Sequence, residues 1–485
     1  MKTASPAHCG LANIHIQNLL DHFERHGINL HSILMARGNE LFFERYWQPY
    51  TKETPHRMYS VTKSFVSAAI GCLWDDGLIS LDDPIIRYFP DKLPPVVHPW
   101  LARQTIRDML MMCTCFADVR WFQPGVTDRL AFYFSRTPVR PAGTVFHYDS
   151  TGSYVLGVLV ERVSGMGLME YLQQKILRHI GGFENASMLQ TPDGTPWGDS
   201  ALLATPRALM HFARLWMQDG CWEGKQLISQ AYVREATAFQ TDNTPEGRSH
   251  YNAHGYGYQF WRTEKNGFSM HGMGCQYAIC VPEKDFVFVC TGDNQLSGEQ
   301  LQPVIFDTVF SEIVAHLADM PLPEEAPLPE VFPSLCVARG EESSPFSRLI
   351  SGCWFECEPN PIGITRLMLS FDGALGRFSY TNAQGDKTLP FGMKYNVIGP
   401  FPQAGYSDLR GNVHEINDFR YRCAASAGWI EKQKLQLRVQ IIDKYFGQLF
   451  ITFGFRDQNT VGVRMVKSAE DFLNEYEGWL GAHRT

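Results

Sequence analysis

Residues 56–90, HRMYSVTKSFVSAAIGCLWDDGLISLDDPIIRYFP, hold the pattern on which the fold turns. From Ser60 to Trp74 the apolar residues Val61, Phe65, Ala68, Ala69, Cys72 and Leu73 recur at helical spacing, and Gly77 stops the run after Asp75 and Asp76. The spacing predicts a helix with Ser60 in its first turn. Ser60 and Lys63 stand at i and i+3, so hydroxyl and amine share a face, and the helix amino end adds partial positive charge. A nucleophile and a proton acceptor in one turn is an arrangement suited to covalent catalysis. A free lysine, with a pKa of about 10.4, is a poor base at neutral pH, so this role requires burial or a nearby cation. The plainer alternative is a serine cap followed by a solvated lysine. The four residues alone do not separate the two.

On the amino-terminal side, residues 31–47, HSILMARGNELFFERYW, read as a hairpin turning at Arg37-Gly38-Asn39. On the carboxy-terminal side, a helix is expected up to about Gln218, with Thr205 as its cap and Pro206 in its first position. A strand over Phe286–Thr291 and a helix over Ile305–Leu317 complete a mixed pattern. Residues 320–333, MPLPEEAPLPEVFP, carry five prolines and read as an extended linker. Beyond it, Leu367–Phe371, Leu435–Ile442 and Gln448–Phe453 have the composition of strands between Gly, Asn and Asp turns. The expected organisation is a domain over 1–319, a linker over 320–333 and a mostly β accessory domain over 334–485, for which a small barrel is one arrangement.

The 485 residues are 44% hydrophobic and 19% charged, which is an ordinary globular balance. A net charge of −8 without a dense Lys/Arg block argues against nucleic acid as a partner. No run approaches the ~18 apolar residues of a membrane span. The first twenty residues lack a secretory pattern, and the twelve cysteines are scattered through a long chain. Reduced thiols in a cytoplasmic protein are therefore expected. Neither a G-x-S-x-G elbow nor an H-E-x-x-H or phosphate-loop motif occurs, so no metal and no cofactor are implied. The aromatic run Tyr256, Tyr258, Phe260 and Trp261 reads as core.

The segment around Ser60 resembles the nucleophile helix and following loop of class C β-lactamases and their relatives, among them penicillin-binding carboxypeptidases, esterases and 6-aminohexanoate-dimer hydrolases. S-x-x-K is a recorded signature of that superfamily. Two further stretches are similar: TIRDMLMMCTCF (105–116), and PAGTVFHYDSTGSYVLGVLVERVSG (141–165), which carries Tyr148-Asp149-Ser150 where class C enzymes have Tyr-x-Asn and the dimer hydrolases Tyr-x-Ser. The resemblance covers roughly residues 20–320. It implies an α+β fold: an antiparallel sheet flanked by helices, with a helical subdomain over about 95–204 and the site between them. It also implies an acyl-enzyme on Ser60, with Lys63 and Tyr148 moving protons and Ser150 donating to Lys63 or substrate.

The third motif departs from the family pattern. Its cationic K-T-G is represented by Met270-His271-Gly272-Met273, then Gly274-Cys275-Gln276. Two registers are open. One places Met273 where a strand N–H joins that of Ser60 in an oxyanion hole; the other puts His271 at the lysine position and Gly274 at the hole. In either, Gly272 admits a close approach of substrate to backbone, and His271 is either substrate-facing or a hydrogen-bonded strand histidine. The expected substrate is a small ester or linear amide. A β-lactamase, a D-amino-acid peptidase or a non-catalytic binding protein remains an alternative.

Overall fold

Gly38, at φ +57°, lets the chain reverse between two strands rich in apolar and aromatic residues. The computed structural model describes residues 1–117, 126–244, 253–406, 418–470 and 472–485, and sets these strands in a seven-stranded sheet. Its members are β1 (Lys2–Thr3), β2 (Leu30–Arg37), β3 (Glu40–Tyr46), β4 (Trp261–Arg262), β5 (Phe268–Gly272), β6 (Gln276–Val281) and β7 (Phe286–Gly292). Across the sheet they run β1-β3-β2-β7-β6-β5-β4, antiparallel except for the β1–β3 edge. β2 and β7 are distant in sequence but pair at the centre, with Leu34 opposite Val289.

Five helices position the site: α1 (Asn13–Arg25), α2 (Thr62–Asp75), α3 (Ser150–Ser164), α4 (Pro206–Met217) and α5 (Gly298–Thr308). Strand alternation gives the sheet two buried faces. Ile33, Met35, Tyr277, Ile279, Phe286 and Phe288 form one face and share a core with Ile16, Leu19, Leu20 and Phe23 of α1 and with Ile305 and Phe306 of α5. Burying such side chains contributes roughly 1.5–3 kcal/mol each. α4 packs on β2, β6 and β7, its start capped by the Thr205 hydroxyl, which accepts from Ala208 N at 3.1 Å. α2 is buried from Thr62 to Leu73, as a helix apolar on all sides must be, and it packs on α3.

Between α2 and α4 the regular structure of the described chain is mostly helix. It also supplies two short strands, Ser187–Met188 and Leu202–Ala204, the second of which pairs with His56–Arg57 just before Ser60. The helix expected over Ile305–Leu317 starts earlier, as α5, and continues less regularly through Val309–Ile313 and Val314–His316.

The chain separates into two compact units, Met1–Pro333 and Ser334–Thr485. Residues 320–333 have neither helix nor strand, yet they form a strap on the first unit. Leu322 N donates to Ala7 O at 2.8 Å, Asn13 N to Glu325 Oε2 at 2.7 Å, Asn13 Nδ2 to Ala326 O at 2.8 Å and Gln48 N to Pro333 O at 2.7 Å. Leu328 packs against the core. Backbone that proline withholds from helix and sheet is thus paired with the amino-terminal segment.

The second unit is a barrel. Its strands are β8 (Cys353–Cys357), β9 (Arg366–Asp372), β10 (Leu375–Asn382), β11 (Gly385–Met393), β12 (Val397–Pro400), β13 (Arg422–Glu431), β14 (Lys434–Ile442), β15 (Phe446–Asp457), β16 (Thr460–Ala469) and β17 (Gly478–Arg484). Nine of them close in the order β11-β10-β9-β8-β17-β16-β15-β14-β13, and a parallel β11–β13 pairing completes the ring; β12 adds to the edge of β13. Leu367, Leu369, Phe378, Leu437, Val439, Ile451, Phe453 and Val463 are buried at alternate positions, so side chains fill the interior. All twelve cysteines are free. Among the described residues, no helix is long and apolar enough to cross a membrane.

One buried pair makes stability depend on pH. His56 Nδ1 donates to Arg57 O at 3.0 Å, so its neutral ring accepts at Nε2 from His31 Nδ1, 2.7 Å away. Burial lowers the His56 pKa from 6.5 to about 3. The unfolded chain therefore takes up a proton that the folded chain refuses. This contribution to stability is intact above about pH 6.5 and is lost as pH falls toward 3, at up to ~1.4 kcal/mol per unit. His56→Gln should be less stable than wild type at pH 7, and the gap should shrink by ~2 kcal/mol by pH 5. Urea unfolding at the two pH values measures it; a constant gap refutes the assignment. For the strap, Leu328→Ser should speed proteolytic cleavage within residues 320–333, followed by fragment mass, and equal rates would show that the packing of Leu328 does not hold the segment.

Candidate active site

Ser60 lies on a tight turn, Tyr59–Val61, that leads from strand His56–Arg57 into α2. Tyr59 has φ +46°, a left-handed conformation costly for a non-glycine residue. The turn is held from both sides. Thr62 Oγ1 donates to Tyr59 O at 2.6 Å and accepts from Leu202 N at 3.1 Å, while Met58 N donates to Leu202 O at 2.8 Å. Tyr59 and Val61 are buried, and Ser60 between them is half-buried.

Lys63 follows on the same face. Its Nζ donates to Ser60 Oγ at 2.8 Å and to the Asp199 carbonyl at 2.8 Å, and the residue is 1% exposed. Nζ also stands 5.1 Å from the centre of the Tyr148 ring. The solvated lysine of the plainer reading is thereby excluded.

Behind Lys63 is a layer of buried charge. Arg57, Arg129 and Asp199 are all buried, and both guanidinium carbons lie 5.1 Å from the Trp197 ring. Arg57 also sits 4.5 Å from the Tyr59 ring and donates through Nε to Ser200 O at 3.2 Å. Burial raises the Asp199 carboxyl to about 6, against the opposing pull of Lys63, Arg129 and Arg57. Neither Asp199 nor the arginines carried a sequence signal, because 136 residues separate Asp199 from Lys63.

Tyr148 is half-buried and stacks on Trp261, with centroids 5.5 Å apart at 24°. On the same indole His271 stacks at 5.1 Å and 10°, so Trp261 joins the second motif to the third. Tyr256, Tyr258 and Phe260 are buried core, but Trp261 lies against Tyr148. Asp149 caps α3: its Oδ1 accepts from Gly152 N at 3.0 Å and Thr151 Oγ1 at 2.7 Å, and its Oδ2 from Thr114 Oγ1 at 2.9 Å. Ser150 is the first residue of the helix and half-buried. Gln259 ties these elements together. Its backbone carbonyl accepts from Ser64 Oγ at 2.8 Å, its Oε1 from Ser153 Oγ at 2.7 Å, and its Nε2 donates to Leu110 O at 2.9 Å.

The third motif lies on β5, which packs beside the Ser60 turn. Gly272 is required there, since a Cβ would lie 2.3 Å from Met58 O. The close approach is thus to the chain just ahead of the nucleophile, where the sequence suggested substrate. Met273 follows in the hairpin turn with its side chain 39% exposed, and Gln276 closes that turn by donating to Met273 O at 2.9 Å and Gly292 O at 2.6 Å. His271 makes the contacts of a hydrogen-bonded strand histidine. Strand alternation turns it to the opposite face from Gly272, where it packs edge-on to Tyr277 and Phe306 and hydrogen-bonds Ser269 Oγ at 2.6 Å and Gln302 Nε2 at 3.2 Å. Burial lowers its pKa to about 3, so it is neutral at ordinary pH. Among the described residues, no group of three metal-ligating side chains forms at this site.

Residues 16–295 match the family described as Beta-lactamase. The 6-aminohexanoate-dimer hydrolase of Paenarthrobacter ureafaciens is 25% identical over 264 residues, covering 50% of this chain and 67% of that protein. Two solved structures share the fold. A candidate 6-aminohexanoate-dimer hydrolase from Bacillus anthracis aligns with a TM-score of 0.53 at 18% identity, over 67% of this chain and 89% of its own. The octameric penicillin-binding protein homologue from Pyrococcus abyssi aligns with a TM-score of 0.51 at 15% identity, over 97% of this chain and all of its own. A match that spans more than half of the chain and takes in all three motifs makes it a member of the β-lactamase family, serine hydrolases related to the penicillin-binding proteins.

Proposed function

We propose that the chain hydrolyses esters and small linear amides through an acyl-enzyme on Ser60, acting on a small-molecule substrate in the cytoplasm. The observation that carries this reading is the 2.8 Å hydrogen bond between Ser60 Oγ and a lysine amine shut away from solvent. The Asp199 carbonyl can only accept, so Nζ keeps an N–H there. In the neutral amine the lone pair is then free for the Ser60 hydroxyl proton. Ser60 Oγ attacks the substrate carbonyl as that proton passes to Lys63. The tetrahedral oxyanion is held by the backbone N–H groups of Ser60 and Met273. Tyr148, beside Nζ, relays the proton to the leaving alcohol or amine, and the C–O or C–N bond breaks. Water then attacks the acyl-serine with the same groups acting in reverse, releasing the acid and restoring Ser60. Ser150, next to Tyr148, would donate to Lys63 or substrate. The free thiols agree with the proposed compartment.

An activated fluorophosphonate should add one label to the wild type and none to Ser60→Ala, read by intact mass; undiminished labelling of the variant would sink the mechanism. Lys63→Ala and Tyr148→Phe should each lose about a hundredfold or more in kcat on an amide, the lower range for a lost general acid or base. A variant retaining most of its turnover would remove that residue from the proton path.

Substrate class follows from the third motif. A penicillin-type carboxylate is best met by a fixed cation, and here the candidate for that place, His271, is neutral and stacked on Trp261. The relative from Paenarthrobacter ureafaciens, whose name gives a 6-aminohexanoate dimer as its substrate, supports the same choice. A short-chain p-nitrophenyl ester should be turned over with higher kcat/KM than a chromogenic cephalosporin. Equal or greater efficiency on the cephalosporin would replace this reading with that of a β-lactamase.

A further inference from the structure

On the sheet face away from α4, α1 lies against the stretch that continues α5, and three metal-ligating side chains meet there. His15 comes from α1. Glu312 and His316 stand at i and i+4 in the residues after α5, so both project to one side of that stretch. One ligand atom from each lies within 4.8 Å of the other two. His15 Nδ1 and Glu312 Oε2 are 3.4 Å apart, about the separation of two ligand atoms on a tetrahedral ion with bonds of ~2.1 Å.

Surrounding groups already orient these ligands. Asn18 Nδ2 donates to Glu312 Oε2 at 3.1 Å, which fixes the carboxylate. The Glu312 backbone carbonyl faces His316 Nδ1 at 3.2 Å and can only accept, so Nδ1 carries the hydrogen and Nε2 the lone pair. A backbone acceptor behind one ring nitrogen is a common way of aiming the other at a metal. The His15 and His316 rings are stacked, 3.8 Å apart at 18°, His15 Nδ1 facing the Glu312 carboxylate and His316 Nδ1 the Glu312 backbone carbonyl. His15 and Glu312 are half-buried, and His316 is exposed, leaving solvent access for an ion and for water as a further ligand.

We propose that His15, Glu312 and His316 form a binding site for a divalent transition-metal ion of the zinc type. Two imidazole nitrogens and one carboxylate suit Zn²⁺, whereas Ca²⁺ and Mg²⁺ require shells of oxygen. The site joins α1 to the end of the α5 stretch, two elements that cover the same face of the sheet, so the ion acts as a staple. It is separate from the Ser60 chemistry, and no step of that chemistry uses it. The sequence concealed it because His15 and Glu312 are 297 residues apart and form no local motif.

The test uses the whole chain, stripped with a chelator and then titrated with Zn²⁺ by calorimetry. The wild type should bind one equivalent at this site, with a rise in Tm that Mg²⁺ does not reproduce. His15→Ala and His316→Gln should each weaken that binding at least about tenfold and abolish the rise in Tm, while ester hydrolysis by the metal-free proteins stays unchanged. Far-UV circular dichroism before titration shows that the variants are folded, and the surface position of His316 makes its variant the safer of the two. The proposal is overturned if the wild type takes up no Zn²⁺, or if both folded variants bind it with wild-type stoichiometry and affinity.

Discussion

The structure of the first unit is organised around the burial of a single amine. Lys63 sits on a helix whose other residues from Thr62 to Leu73 are also buried, and its side chain cannot reach water. An ammonium or amine withdrawn from solvent costs several kcal/mol unless polar groups meet it. Two do so at 2.8 Å: the Ser60 hydroxyl and the Asp199 carbonyl. Each acceptor requires its own segment of backbone. Ser60 is presented by a turn strained at Tyr59, and Asp199 by a loop that leads into the strand Leu202–Ala204. That strand pairs with His56–Arg57 and bonds the Thr62 hydroxyl, so the same few hydrogen bonds satisfy Lys63 and align the nucleophile. Site and fold are one constraint here.

Charge is balanced in the layer behind. Lys63, Arg57 and Arg129 surround the Asp199 carboxyl, whose own burial resists ionisation. Aromatic faces also meet these groups: Trp197 both guanidiniums, Tyr59 Arg57 and Tyr148 the amine. Each such contact is worth about 0.5–2 kcal/mol, more where water is excluded. Aromatic rings suit this purpose because they stabilise cations without supplying a negative charge that would lock the lysine in an ion pair.

What the sequence made legible was local. The Ser60–Lys63 spacing, the hairpin at Gly38, the Thr205 cap and the strands after residue 334 depend on periodicity and turn chemistry within a few residues, and each forms. What it hid depends on contacts between distant segments. Asp199 meets Lys63 through a backbone carbonyl, which every residue has, so no side-chain pattern betrays it. Asp149 carries no signal as a cap in the sequence, because a cap is defined by where the helix begins. The proline-rich segment reads as an extended linker because its composition excludes regular structure. Composition says nothing of the hydrogen bonds that its carbonyls and carboxylates make elsewhere.

His271 shows how one position shapes specificity on the proposed reading. In β structure a residue chooses a face by parity, and Gly272 has no freedom: the Met58 carbonyl occupies the space of its Cβ. That close contact fixes the register of β5 against the nucleophile turn and commits His271 to the opposite face, among Trp261, Tyr277 and Phe306.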